Sequence, residues 1–202
     1  MALTLVLSVA ATVVVLAGAA WLFTPLLGPA RAGPMRGVRL PAGVMSAGMM
    51  RQMHGVGTVD SEFDFLTRMI PHHQEAVDSA RELRERTERP EMRQFAETII
   101  ETQSREIEQM QEWLERWYFD RSREVDYEPM MGDYSGLSGD RLDRLFLEEM
   151  IPHHMAAVMM SQQLIRRSLA EYRQVENLAA TIRDAQLQEI QQMSRWLERW
   201  FE

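Results

Sequence analysis

Between Ser61 and Phe201 the apolar residues recur at the three-to-four-residue spacing of helices and do not alternate as in strands. Punctuation divides this stretch into four runs. Ser61 is a candidate N-cap for a helix reaching about Arg86, and Pro90 suits the first turn of a second helix that continues to about Tyr118. A further pair runs from near Asp140, behind a candidate cap at Ser138, to Ser168, and from about Tyr172 to Phe201. Helices of roughly 27 to 30 residues extend about 40 to 45 Å at 1.5 Å per residue. Only a few residues join the members of each pair, which forces them antiparallel. By contrast about 19 residues, Phe119 to Leu137, join the pairs, enough at roughly 3.3 Å per residue to travel a whole bundle length. Two hairpins with one long crossover predict an all-α, ferritin-like four-helix bundle over residues 60–202.

Ahead of this domain, Ala2 to Phe23 is an apolar run within 30 residues that carry no charged side chain. That length spans a bilayer as one helix, so residues 1–24 are expected to be a transmembrane anchor. The alternative is a secretory signal, with Ala30-Arg31-Ala32 as a small-x-small cleavage site. Residues 25–59 are rich in Gly, Pro and Ala and read as a linker.

The two helical pairs are copies of one unit. Met-Ile-Pro-His-His occurs at Met69 to His73 and again at Met150 to His154, so four of the five histidines lie in two matching doublets. Around it Phe65-Leu66 matches Phe146-Leu147, Glu62 matches Asp143, and Ala76-Val77 matches Ala157-Val158. With a two-residue shift, Gln103, Glu106, Ile107 and Met110 match Gln186, Glu189, Ile190 and Met193, and both units close on Trp-Leu-Glu-Arg-Trp. The repeat units are 61–118 and 140–201. A period of about 80 residues is too long for a solenoid repeat and suits a pair of helices.

Composition narrows the chemistry. The formal charge is -8, and the basic residues, all arginine, are interspersed with acids, which describes solvated helix faces and gives no nucleic-acid patch. Cysteine is absent, which excludes disulfides and thiolate metal sites, while methionine is frequent at 16. On a helix Met69 lies three and four positions before His72 and His73, so the three crowd one side, and Met150, His153 and His154 repeat this. On the paired helices Gln103, Glu106 and Met110 share one stripe, as do Gln186, Glu189 and Met193. In a bundle these stripes face the doublets, and a carboxylate there orients an imidazole by accepting its second N–H, or binds metal itself. Pro71 and Pro152 remove the helix hydrogen bonds to the carbonyls of Thr67 and Glu148, which is expected to open the helix locally. The linker adds Met45, Met49, Met50, Met53 and His54, a second candidate metal site, with Met45, Met49 and Met53 on one face if helical. The bland alternative for the doublets is a buried His–Glu contact. Trp113, Trp117, Trp196 and Trp200 are expected to pack, and Met155, Met159 and Met160 fall between packing and ligation.

Doublet, preceding acid and Phe-Leu, and later Gln-x-x-Glu-Ile-x-x-Met with Trp-Leu together resemble the domain-of-unknown-function 305 family, over about Ser61 to Trp200. The resemblance implies a ferritin-like fold, export or membrane anchoring and, for some members, copper binding and copper tolerance. The first unit departs in carrying Glu62 where the pattern has Asp.

The missing residues choose the metal. No Glu-x-x-His occurs, against a di-iron centre, and the absent Cys disfavours structural zinc, although His with Glu leaves zinc or another transition metal open. Imidazole with thioether suits copper, as Cu(I). Such thiol-free sites also suit an oxidising compartment, which places the domain outside the cytoplasm although Arg31, Arg36 and Arg39 follow the apolar run. The expected function is an exported, membrane-anchored protein that sequesters or transfers copper, periplasmic or secreted if the signal is cleaved. Its partners are the metal ion, the membrane and a copper-handling protein or second copy. The alternatives are a structural, membrane-tethered interaction bundle and a metal-dependent oxidoreductase, for which no substrate-orienting groups or nucleophile constellation are visible.

Overall fold

The structure, a computed structural model, describes residues 58–202. The expected anchor and the linker site at Met45, Met49, Met50, Met53 and His54 lie outside the described residues. Four helices account for most of the rest: α1 Glu62–Arg86, α2 Pro90–Trp117, α3 Gly139–Arg166 and α4 Arg173–Phe201. Among the described residues no helix is long and apolar enough to cross a membrane. Ser61 caps α1 by accepting from the Asp64 amide at 3.0 Å, whereas Ser138 holds the extended N-cap backbone without a side-chain cap bond. Both α1 and α3 run unbroken through Pro71 and Pro152, so the expected local opening of the helix is not seen.

Each hairpin packs on itself, and the two hairpins meet mainly through α1 and α3. These two helices are antiparallel, as their ends show. The start of α1 reaches the α3–α4 connection through Glu62, and the start of α3 reaches the α1–α2 connection through Asp140 and Asp143 with Arg89. The crossover between α2 and α3 traverses the length of α1. It leaves beside Phe63, whose ring carries the Arg121 guanidinium at 3.7 Å, and ends where Arg86 donates to the carbonyls of Tyr134 and Leu137. Midway, Glu75 accepts from the amides of Met130 and Met131, both at 2.7 Å. Next to these, Glu149 accepts from the Gly132 amide at 2.9 Å and the Tyr134 hydroxyl at 3.0 Å. A Cβ at Gly132 would lie 2.8 Å from a Glu149 oxygen, so a larger residue here would push that carboxylate aside.

Burial follows the repeat. One apolar cluster gathers Leu83, Met92, Phe95, Phe146, Met150, Met193 and Trp196; the other gathers Phe65, Met69, Met110, Trp113, Leu114, Met160 and Leu164. The clusters sit toward opposite ends of the bundle, with the histidines between. Trp113 and Trp196 are buried as expected, while Trp117 stacks on Tyr172 and Trp200 lies under the Arg89 guanidinium, both half-buried. Leu178 and Phe95, equivalent in the two units, accompany the buried tryptophans.

The matched acids Glu62 and Asp143 prove to be reciprocal locks between the hairpins. Glu62, fully buried, accepts from the Glu171 and Tyr172 amides at 2.7 and 2.8 Å and from the Tyr118 hydroxyl at 3.0 Å, tying three elements together. Asp143, equally buried, lies 3.3 Å from Arg89 Nε; burial pushes its carboxyl up, against the lowering by the neighbouring Thr87 and Arg89. A group that leaves buried amides unpaired when removed costs about 1–3 kcal/mol for each stranded donor. We therefore expect Glu62→Ala to lower unfolding free energy by roughly 2–4 kcal/mol, read from urea unfolding. Glu101→Ala, at an exposed site, should stay within about 0.5 kcal/mol. Equal effects from the two would contradict the lock.

Candidate metal centre

Because α1 and α3 cross antiparallel at their Pro-His-His segments, the four doublet histidines meet at mid-bundle. All are buried: His72 at 2% exposure and His73, His153 and His154 at 0%. His72 and His153 lie ring over ring across the interface, centroids 3.8 Å apart and planes 31° apart. Each doublet's own rings are farther apart, 6.1 and 6.2 Å. Gln103 and Gln186, both 3% exposed, complete a polar belt between the apolar clusters.

The facing stripes arrive as expected. His73 Nε2 is 2.9 Å from Glu106 Oε2, and His154 Nε2 is 2.8 Å from Glu189 Oε2, so the two halves repeat one contact. An ionised carboxylate accepts, so each Nε2 carries the proton and donates; the tautomer then leaves the Nδ1 lone pair free. Both Nδ1 atoms are buried without a hydrogen-bond partner, as are Nδ1 of His153, both nitrogens of His72, and Oε1 of Gln103 and Gln186. Buried polar atoms are normally paired with protein, water or a bound ion, and this belt gathers unpaired nitrogen and oxygen acceptors in one place.

Met69 and Met150, fully buried, stand one turn before their doublets, and Met110 and Met193, also fully buried, stand one turn beyond Glu106 and Glu189. Met69 and Met110 share one apolar cluster, and Met150 and Met193 the other, so thioethers flank the belt on both sides. Among the described residues no group of three or more His, Cys, Asp or Glu is arranged to hold a metal ion. The uncharged donor types buried in and beside the belt are imidazole nitrogen and methionine sulfur. That pairing suits a soft ion.

One part of the site breaks the repeat. Glu75 lies 3.2 Å from His153 Nε2 and also takes the Tyr127 hydroxyl and the two crossover amides, while its equivalent in the second unit is Ala156. Burial alone would raise the Glu75 carboxyl, but the nearby His153 and the bonds from Tyr127 and Met131 outweigh that and hold it below the usual carboxylate range. The Tyr127 ring meets His72 edge-on at 6.4 Å, and its hydroxyl is pushed up by burial and by Glu75. Burial, then the neighbouring His153, holds His72 well below the ordinary imidazole value; burial lowers His153 to about 4 against the opposing pull of Glu75. Both rings are therefore neutral at pH 7, the state in which imidazole binds metal. Sequence reasoning missed Glu75, Tyr127 and Glu149. The available signal was a carboxylate three residues after His72 with no counterpart after His153.

Comparison with known proteins bears on this centre. No curated protein matches the chain. Among solved structures, CopM in the Cu(I)-bound form is 33% identical with a TM-score of 0.62, the match covering 70% of this chain and 99% of that one. CopM is also known in Cu(II)-bound and Ag-bound forms, at 31% and 33% identity. A DUF305 protein of Streptomyces coelicolor, described as a candidate secreted protein, is 26% identical with a TM-score of 0.62 over 69% of this chain and 92% of that one. A DUF305 fragment from Deinococcus radiodurans is 29% identical, with a TM-score of 0.61, over 70% and 98%. The family described as domain of unknown function (DUF305) matches residues 27–114 and 124–197, one segment for each repeat unit. The chain belongs to the DUF305 family.

Proposed function

We propose that this protein binds copper, chiefly as Cu(I), and sequesters or transfers it outside the cytoplasm. The observation that carries the reading is the belt of buried imidazoles whose Nδ1 atoms have no hydrogen-bond partner, in a chain one-third identical to the copper- and silver-bound CopM. His72, His73, His153 and His154 supply nitrogen, with Met69 and Met150 as soft partners. Glu106 and Glu189 hold Nε2–H of His73 and His154, so that Nδ1 points its lone pair to the ion; Gln103, Gln186, Met110 and Met193 complete the surroundings. The long crossover supports a ferritin-like reading of the bundle.

Export is supported by the Streptomyces relative described as a candidate secreted protein and by the thiol-free donor set. A cleaved signal fits this better than a retained anchor, and either leaves the domain on the same side of the membrane.

Titration of the full-length chain with Cu(I) against a competing chelator tests the centre. Changing all four doublet histidines to Ala should remove the tightest binding, and Glu106→Gln with Glu189→Gln should weaken it by about 10–100-fold. Equal uptake by the quadruple variant and the parent would contradict the assignment. Deleting residues 45–54 should lower the number of Cu(I) ions bound while leaving the tightest site; an unchanged number would remove the linker from copper binding.

Acid supplies a third test. Because the folded state holds His72 and His153 below the ordinary imidazole value of about 6.5, protons bind the unfolded chain preferentially. Stability from these rings is fully present above pH about 6.5 and is lost as pH falls toward about 4. Urea unfolding of the metal-free protein should show a loss on the order of 2–3 kcal/mol across that window, reduced in the variant carrying His72→Gln and His153→Gln. The same pH dependence in parent and variant would contradict it.

A further inference from the structure

Resting on the copper-binding reading, we infer that the cation reaches the belt through one groove, between α2 and α4 on the Trp113 side, and passes to His73 by way of Glu106. The groove is an open cleft of about 790 Å³ whose walls include Arg105, Glu106, Glu108 and Glu112 from α2 and Asn177 and Leu178 from α4. Glu106 belongs to both worlds: it lines the cleft, and its Oε2 is 2.9 Å from Nε2 of the fully buried His73, whose Nδ1 has no partner. A cation arriving at Glu106 is therefore one side chain from a buried imidazole.

The duplication supplies an internal comparison. Where Leu178 stands beside Trp113 in the groove, the other half has the bulkier Phe95, whose ring packs edge-on against Trp196 at 5.4 Å. Charge leans the same way. The groove walls set three carboxylates against Arg105, whereas the equivalent positions hold Glu91 and Glu189 against Arg195, with Gln188 and Gln191 at the places of Arg105 and Glu108. Exposure does not separate the halves, since the side chains of Glu106 and Glu189 are 12% and 20% accessible. Shape and field do, and a negative cleft raises local cation concentration and association rate.

The test uses the full-length chain, Ag(I) as a redox-stable stand-in for Cu(I), and stopped-flow tryptophan fluorescence, with the number of ions bound measured separately. Leu178→Phe should slow association at least about fivefold, and Glu108→Gln with Glu112→Gln about threefold at low salt, converging with the parent at high salt. Both should bind the parental number of ions, and Glu91→Gln on the other side should leave the rate unchanged. Parental rates in both groove variants, or equal slowing by Glu91→Gln, would overturn the route while leaving the binding site standing. No Ag(I) binding by the parent would overturn the site beneath it. If Leu178→Phe fails to fold by circular dichroism, the charge variant alone decides.

Discussion

The antiparallel crossing of α1 and α3 is the constraint on which the molecule depends, because it places two imidazoles ring over ring inside an otherwise apolar bundle. His72 and His153, 3.8 Å apart by centroid, occupy space that aliphatic side chains would fill at lower desolvation cost. Everything nearby answers that cost. Glu106 and Glu189 come in from the second helix of each hairpin to fix the neighbouring rings, and Glu75 brings the crossover down over the central pair. The apolar clusters at either end then hold the crossing shut, and Glu62 and Asp143 clamp the hairpins at their tips. Polar atoms kept unpaired in such a place reduce stability, and the copper ion proposed above would complete them.

Much of this was legible in the chain because repetition converts a weak local pattern into a strong one. The four helices, their ends and the long crossover follow from caps, prolines and connection lengths, and the helix bounds at Arg86, Pro90 and Phe201 were read correctly. The facing of Glu106 on His73 and Glu189 on His154 was likewise readable, since a stripe on one member of a tight hairpin must meet the other. Pro71 misled: a helix interior tolerates it when the surrounding packing holds the backbone, so no local opening was needed.

What stayed hidden lies where the two units differ. The crossover has no counterpart in the repeat, and its docking on Glu75 and Glu149 joins residues 55 and 17 positions apart, which no local spacing reveals. Glu62 looked like one acid of a matched pair. Its role as acceptor for two amides more than a hundred residues away becomes apparent only when the start of α1 is seen beside the α3–α4 connection. Duplication thus built the centre, and departures from duplication at Glu75, Phe95 and Leu178 made its two halves unequal.

The central claim is that the carboxylates hold Nε2 of His73 and His154 so that Nδ1 is the face offered to the ion. Long-range 1H–15N correlation spectra of imidazole-labelled protein, recorded before and after adding Ag(I), examine those nitrogens one by one. The account predicts large shifts at Nδ1 of His73 and His154, with Nε2 keeping its protonated signature and its bond to Glu106 or Glu189. Unmoved Nδ1 resonances, or loss of the Nε2 proton in their place, would contradict it.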